Sequence, residues 1–272
     1  MKHNSVMRII SPEELNRIQL EILDGVHAFC VKNSIRYSLA FGTLLGAVRH
    51  KGYIPWDDDI DIMMPRPDYN RFVTSFNGAF NHLVVAAPEL DLGYYASYAN
   101  VYDNRTLLIE GANGHRGMDL GVKIDVFPLD GIPLPEEDYM NLKKDLWVKN
   151  CVLYAKRIKL LKSKHKVSFI KTRIKNWFKS YKTIQKEITN TISKYSFDES
   201  DFVDVLAFNP YLHSTRFYSS VATDYNRVPF EDREYMCVKD YHSVLQGLYG
   251  DYMQLPPEEK RIPHHGFTAY WK

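Results

Sequence analysis

The spacing of apolar residues divides the chain into a mixed first half and a largely helical second half. Ser11-Pro12-Glu13-Glu14 opens the first helix with a capping-box signature: Ser at the cap, Pro in the first turn, Glu three residues after Ser. Behind it, Leu15, Ile18, Ile22, Val26 and Phe29 recur at helical steps, which buries one face. Tyr37 to Phe41 reads as a short strand running into Gly42-Thr43, followed by a short apolar helix, Leu44 to Val48. After the Gly52–Pro55 turn, Ile60, Ile62 and Met64 alternate with Asp59, Asp61 and Met63, which predicts a strand with its carboxylates on one face. Pro65 ends that strand, and a helix is expected from Pro67 to Phe80. Val84–Ala87, Tyr95–Tyr102, Leu107–Glu110 and Val122–Phe127 are further strand candidates between Gly and Asn turns. Helical spacing resumes at Glu136 and runs, with breaks, towards Tyr195. One more helix, Tyr241–Tyr249, precedes an irregular end holding Pro256-Pro257 and His264-His265. The expected class is α/β (α+β): a mixed sheet core flanked by helices, then a mainly helical half.

Composition narrows the class without naming a function. A chain of 272 residues, 45% hydrophobic and 25% charged, suits one large or two small globular domains and excludes a wholly disordered, collagen-like or coiled-coil protein. Cys30, Cys151 and Cys237 lie far apart with no CxxC, which fits a reducing compartment. No apolar run approaches the roughly 18 residues of a membrane span. Met1 to Arg8 lacks the apolar stretch of a signal peptide, so a soluble, cytoplasmic protein is expected. Charge is distributed unevenly. Lys143 to Lys186 holds fifteen Lys or Arg against one acid, Asp145, although the whole chain carries only +2. That split predicts that the segment meets something anionic.

The chemistry concentrates in Trp56-Asp57-Asp58-Asp59-Ile60-Asp61-Ile62. Clustered acids repel unless a cation neutralises them. On one strand, Asp59 and Asp61 project from the same face about 7 Å apart. Carboxylates so spaced can converge on a hard, oxygen-loving cation, Mg2+ or Mn2+. A solvated acidic turn is the plain alternative, and the flanking Ile60, Ile62 and Met63 argue against it. Asp125, in Lys123-Ile124-Asp125-Val126-Phe127, is costly to bury unpaired. It completes a metal triad if its strand neighbours that of Asp61; otherwise it is an edge-strand Asp facing water. Gly42-Thr43, between strand and helix, lets backbone approach a phosphate at a helix N-terminus.

The order strand, Gly-Thr, helix, Asp-x-Asp strand and later single Asp resembles the DNA polymerase β-type nucleotidyltransferases, whose Gly-Ser or Gly-Thr turn and three carboxylates hold two metal ions and a nucleotide. The resemblance closes over Phe41-Gly-Thr-Leu-Leu-Gly-Ala-Val-Arg-His-Lys-Gly-Tyr-Ile-Pro-Trp-Asp-Asp-Asp-Ile-Asp-Ile62. This run resembles the LicD family, phosphocholine transferases of bacterial surface glycans, to which fukutin and fukutin-related protein belong. Tyr102–Thr106, Lys123–Gly131 and Tyr249–Lys260 fit too, so the resemblance extends from about residue 30 to the C-terminus with the basic middle as its variable part. Two departures stand out. Fifteen residues separate Thr43 from Asp59, a longer gap than usual, and the cysteine zinc site of some eukaryotic relatives is missing.

The resemblance implies metal-dependent transfer of a substituted phosphate or phosphonate, phosphocholine-like, from a CDP- or CMP-activated donor to a sugar hydroxyl, releasing CMP. Asp59 and Asp61 would bind Mg2+ or Mn2+; Asp125 would complete the site or accept the acceptor's proton. Gly42 and Thr43 would touch donor phosphate. Arg49 is a phosphate-clamp candidate, with an ion pair to Asp57–Asp58 as its alternative. Tyr102, Asp103 and Arg105 would contact substrate or brace a strand end. Trp56 and several Tyr could form an aromatic cage for a quaternary ammonium, core packing being the default. His115-Arg116, within the Gly-rich stretch Gly111–Gly117, would be a loop over the donor or an idle one. His264 and His265 suit a structural or acceptor-side role better than a metal.

Three parts are expected: a nucleotidyltransferase-like core at 1–135, a basic helical segment at 136–198 on the acceptor or membrane side, and 199–272 packing back on the core. The expected partners are the activated donor, a lipid-linked glycan acceptor, and an anionic membrane surface met through Lys143–Lys186, with Trp147, Leu160, Leu161, Trp177 and Phe178 adding shallow insertion. A peripheral position at the inner face of the membrane follows. No nucleic acid is expected. Two alternatives stay open: a nucleotidyltransferase that attaches NMP and releases pyrophosphate, and a non-catalytic basic nucleic-acid-binding protein, against which intact Asp59, Asp61 and Asp125 argue. Donor head group, acceptor sugar and oligomeric state are not legible.

Overall fold

A computed structural model of the chain describes residues 7–110, 120–157, 166–207, 216–262 and 266–272. Its first half runs β1 (Arg8–Ile9), α1 (Pro12–Lys32), β2 (Ser38–Leu39), α2 (Phe41–Arg49), β3 (Asp61–Pro65), α3 (Arg66–Ser75), β4 (Leu83–Ala86), β5 (Ala99–Asp103), β6 (Thr106–Glu110) and β7 (Lys123–Gly131). Three helices follow, α4 (Glu136–Arg157), α5 (Lys166–Lys175) and α6 (Tyr181–Ile192). The remainder is β8 (Phe202–Asp204), β9 (Phe217–Tyr218), β10 (Tyr225–Phe230), β11 (Arg233–Val238), α7 (Tyr241–Tyr249) and β12 (Phe267–Trp271). This is the mixed α/β architecture that the periodicity predicts. Among the described residues no helix is long and apolar enough to cross a membrane.

Helix α1 forms where its cap predicts. The Ser11 hydroxyl accepts from the Glu14 N–H at 3.3 Å, and Ile18, Ile22 and Val26 are fully buried. The Glu14 side chain does not return to the cap. It accepts from Arg8 at 2.8 Å and from Trp271 Nε1 at 3.0 Å, so the helix start fastens strands from both ends of the chain. Those strands, with β6, make a three-stranded sheet in the order β1-β12-β6.

The main sheet has the order β2-β3-β7-β5-β4, with β8 and β9 continuing from the far end of β7. Among the described residues only β3 and β7 run parallel in it; the other pairs are antiparallel. Helix α1 packs on β5 and β7, and α3 on β3 and β7. Alternation then decides the faces. Ile60, Ile62, Met64, Ile124 and Val126 are sealed in the core, which turns Asp59, Asp61 and Asp125 the other way. The hairpin β10–β11 reaches back to the start of the site: Glu231 donates its N–H to Lys51 O at 2.7 Å and accepts from Tyr53 N at 2.9 Å.

Local boundaries differ from the pattern in instructive places. Helix α2 begins at Phe41 rather than Leu44, because Ala40 is extended and Phe41 takes φ +44°, turning the chain straight from strand into helix. That left-handed backbone costs a non-glycine residue roughly 1–3 kcal/mol. It is held in place by packing, the Phe41 ring meeting Phe127 edge-on at 5.3 Å. Asp59 lies just ahead of β3, although Ile60 O already accepts from Asp125 N at 2.9 Å. The chain after α7 is irregular through Pro256-Pro257, as expected, but Phe267–Trp271 then forms a strand paired on both sides, and an unforeseen hairpin, β10–β11, precedes α7. Short strands with scattered polar residues give no clear period, so tertiary pairing makes them.

The helical half builds a second apolar cluster. Tyr139, Leu142, Leu146 and Leu153 of α4 face Ile184, Ile188 and Ile192 of α6. Tyr98 packs against both clusters. Polar groups are buried at the seam. Asp130 accepts from Arg66 Nε at 2.6 Å, and Asp204 accepts from the Tyr139 hydroxyl at 2.6 Å.

Burial pushes the Asp204 carboxyl up to about 6, against the downward pull of Tyr139 and Lys143. Its ionisation therefore opposes folding: the stability this group lends is full below about pH 4 and is lost as pH rises through 6. Asp204→Asn keeps an oxygen for Tyr139 but carries no charge. Urea unfolding should show the variant gaining on wild type by on the order of 3 kcal/mol between about pH 4 and pH 8. A difference that stays flat with pH would remove the cost from Asp204.

Candidate active site

The parallel pairing of β3 with β7 creates the site. Its register sets Asp61 beside Asp125, and the antiparallel pairing of β5 with β7 sets Asn100 on the other side of Asp125. Three neighbouring strands thus present Asp61, Asp125 and Asn100 in one row. Asp59 and Asp57 approach from the turn before β3, and all four carboxylates line a single cavity of about 1190 Å3. Gly42, Arg49, Trp56, Tyr98 and Phe127 line it too. Its far wall is the segment from Tyr249 to Ile262, including Tyr252, Leu255 and Glu259.

Each carboxylate has its own setting. Asp61 lies well above the usual carboxylate range, first because it has lost water and then because Asp59, Asp125 and Asp57 surround it; Lys123 opposes the shift. Asp125 receives Lys123 Nζ at 2.6 Å and the amide N–H of Asn100. Asn100 is fully buried, and its own oxygen accepts from the hydroxyls of Tyr94 and Tyr95. Burial works against the Lys123 ammonium, but Asp125, Tyr95 and Tyr98 hold its pKa above the ordinary lysine value. Gly42 matters sterically, since a Cβ there would overlap the Asp57 carboxylate.

The donor set has the hard oxygens that Mg2+ or Mn2+ prefers. The crowding that raises Asp61 is what a cation would relieve. Among the described residues no three His, Cys, Asp or Glu side chains converge as a finished metal cage. The residues fit such an ion in kind and in neighbourhood, with Asp125 meanwhile engaged by Lys123.

The structure brings Gly42, Arg49, Asp59, Asp61, Asp125 and Trp56 to this cavity. Thr43 is beside it but buried, and its hydroxyl accepts from the Asp61 N–H at 2.8 Å, pinning the start of β3. Arg49 spends its guanidinium on the wall, donating to Tyr252 O at 2.8 Å and Gln254 O at 3.3 Å. Tyr102 and Arg105 are not brought in. Tyr102 borders a smaller cavity of about 380 Å3 beside Asn77 and Tyr94. Arg105 pairs with Asp103 at 2.5 Å and lies over the Trp271 ring at 5.5 Å, bracing the turn after β5. His115, Arg116, His264 and His265 lie outside the described residues. Pattern reading misses Asn100, Lys123, Tyr94 and Tyr95. Lys123 alone had a local signal, since it precedes Asp125 by two on one strand, which puts it on the same face.

Comparison with known proteins agrees with this geometry. The family model described as LicD/FKTN/FKRP, nucleotidyltransferase domain, matches residues 34–174, which include α2, β3, β5 and β7. The lipopolysaccharide cholinephosphotransferase LicD of Haemophilus influenzae is 34% identical over 97% of this chain and 99% of its own length. An uncharacterized protein of Rickettsia prowazekii is 38% identical over 35% of this chain and 32% of its own. Mannosyltransferase regulator 4 of Saccharomyces cerevisiae is 31% identical over 42% of this chain but only 10% of its own. With the carboxylate strands inside the matched region and one relative aligned almost end to end, the chain belongs to the LicD/FKTN/FKRP family of nucleotidyltransferase domains.

Proposed function

We propose that the protein transfers phosphocholine, or a closely related substituted phosphate, from a CDP-activated donor to a sugar hydroxyl of a lipopolysaccharide-type glycan and releases CMP. The observation that carries the chemistry is the single cavity onto which Asp57, Asp59, Asp61 and Asp125 open beside Gly42 and the first turn of α2. The choice of head group and acceptor follows the name of the Haemophilus relative, which corresponds to this chain over nearly its full length.

Asp59, Asp61 and Asp125 would hold Mg2+ or Mn2+, which when bound neutralises the diphosphate and stabilises the departing CMP. The N-terminus of α2 sits on the same cavity, where the helix dipole favours a phosphate, and Gly42 there leaves room for the Asp57 carboxylate. Thr43 keeps Asp61 in register rather than reaching outward. Lys123 and Asn100 orient Asp125, and Lys123 supplies the counter-charge that lets it stand beside Asp61. Arg49 fastens the wall and adds a positive charge near the phosphates. Trp56, Tyr98 and Tyr252 line the same cavity, and aromatic rings suit a quaternary ammonium.

Incubation with CDP-choline, Mg2+ and a lipopolysaccharide-type acceptor tests the reading by CMP release. Asp59→Asn, Asp61→Asn and Asp125→Asn should each lower turnover by at least about a hundredfold, because a site-bound ion supplies several kcal/mol of transition-state stabilisation. EDTA should reproduce the loss. Pyrophosphate released from CTP, with CMP left on the acceptor, would assign nucleotidyl transfer instead.

The same residues predict a stability change of the opposite sign. In EDTA, Asp61→Asn removes a charge that Asp57, Asp59 and Asp125 repel, so its melting temperature at neutral pH should exceed the wild-type value by about 2 °C or more. Excess Mg2+ should narrow or reverse the gap. A variant that melts below wild type in EDTA would show that Asp61 is not strained by its neighbours.

A further inference from the structure

Helix α5 turns its polar side inward and its apolar side to solvent. Towards α4, Arg173 donates to Ala155 O at 2.5 Å and to Lys156 O at 3.2 Å, and Lys156 Nζ answers to Asn176 O at 2.9 Å. Phe169 is the apolar anchor on that side, 5.5 Å from the Tyr154 ring. On the other side Val167, Ile170 and Ile174 are 67%, 43% and 65% exposed. Trp177 and Phe178, just past the helix end, are 81% and 67% exposed. Steps of three and four residues put Val167, Ile170 and Ile174 on one stripe. Lys171 and Lys175 are exposed along its border.

Such a stripe has no reason to face water unless something covers it. Charge indicates the cover. Two lysines of the basic segment are already matched, Lys149 to Asp145 and Lys179 to Glu187. Lys171 and Lys175 make no ion pair among the described residues and stand where an anionic surface would meet them. A second copy of this chain would bring lysines against lysines. A nucleic acid would match the cations but leave Val167, Ile170 and Ile174 without apolar contact. A bilayer with acidic headgroups matches both, since an interfacial helix buries an apolar face at the acyl boundary and keeps cations at the headgroups.

We propose that the outward face of α5, with Trp177 and Phe178, docks on an anionic lipid bilayer. The stripe and the two rings enter the boundary between headgroups and acyl chains, while Lys171 and Lys175 meet acidic headgroups. The inference rests on this helix alone and not on the transfer reaction.

Sedimentation of the full chain with vesicles of phosphatidylglycerol and phosphatidylcholine, without donor or acceptor, tests it. Wild type should bind these vesicles at low salt, bind pure phosphatidylcholine weakly, and release at high salt. The double variant Ile170→Asp, Ile174→Asp should partition at least about tenfold less while melting like wild type, because both side chains already face solvent. Lys171→Glu with Lys175→Glu should erase the preference for phosphatidylglycerol. Wild type that ignores anionic vesicles, or an aspartate variant that binds as well as wild type, overturns the proposal. Dimers that the aspartate variant dissociates, without vesicle binding, overturn it in favour of a second copy. No turnover is read, so either outcome is independent of the proposed reaction.

Discussion

Two like charges set side by side on neighbouring parallel strands govern this molecule. The register of β3 and β7 forces Asp61 against Asp125 in half-buried surroundings, where carboxylates repel. Much of the surrounding design answers that repulsion. Lys123 and Asn100 hold Asp125 from one side, and Tyr94 and Tyr95 hold Asn100. Thr43 pins the backbone of Asp61, and a glycine at position 42 gives the Asp57 carboxylate its room. Functional sites commonly keep such local disfavour at the expense of stability elsewhere. Here the disfavour is electrostatic, and an added cation would lift it.

Much of this was legible in the linear chain, and the parts that were not share a cause. Helix α1 reads cleanly because its cap and its apolar stripe agree. Asp59, Asp61 and Asp125 stand out because acids among Ile and Val need a reason to be there. The exact start of α2 did not follow from propensity: the turn depends on Phe41 accepting a strained backbone beneath Phe127. Strand β12 pairs with residues distant in sequence, and the hairpin β10–β11, though local, carries mixed side chains around a Glu231-Asp232 turn without glycine or asparagine, so neither stands out in the chain. Asn100 needed the strand order, because its importance lies in the neighbour it meets across β7. Arg49 is near the carboxylates as its position suggests, but its partners are main-chain oxygens more than two hundred residues away.

The helical half is joined to the cavity more intimately than a separate charged segment would be. Tyr98 touches both apolar clusters and lines the cavity, with its ring 4.4 Å from Phe127. Tyr181 of α6 donates to Tyr94 O at 2.8 Å, and Gln185 donates to Ala96 O at 3.1 Å. The backbone that carries the Asn100 network is therefore braced by α6. Motion of the helical pair would reach Asp125 through a short chain of contacts.

Arg49 grips the far wall by carbonyl oxygens and not by side chains. A grip on main chain is indifferent to which side chain follows each carbonyl. The exposed side chains of Gln254 and Leu255 can change in size or polarity while the wall keeps its distance from the carboxylates. What the wall presents to the cavity is thereby uncoupled from the acidic row opposite it. A lineage carrying this clasp can reshape one side of the cavity by point substitution without disturbing Asp59, Asp61 and Asp125.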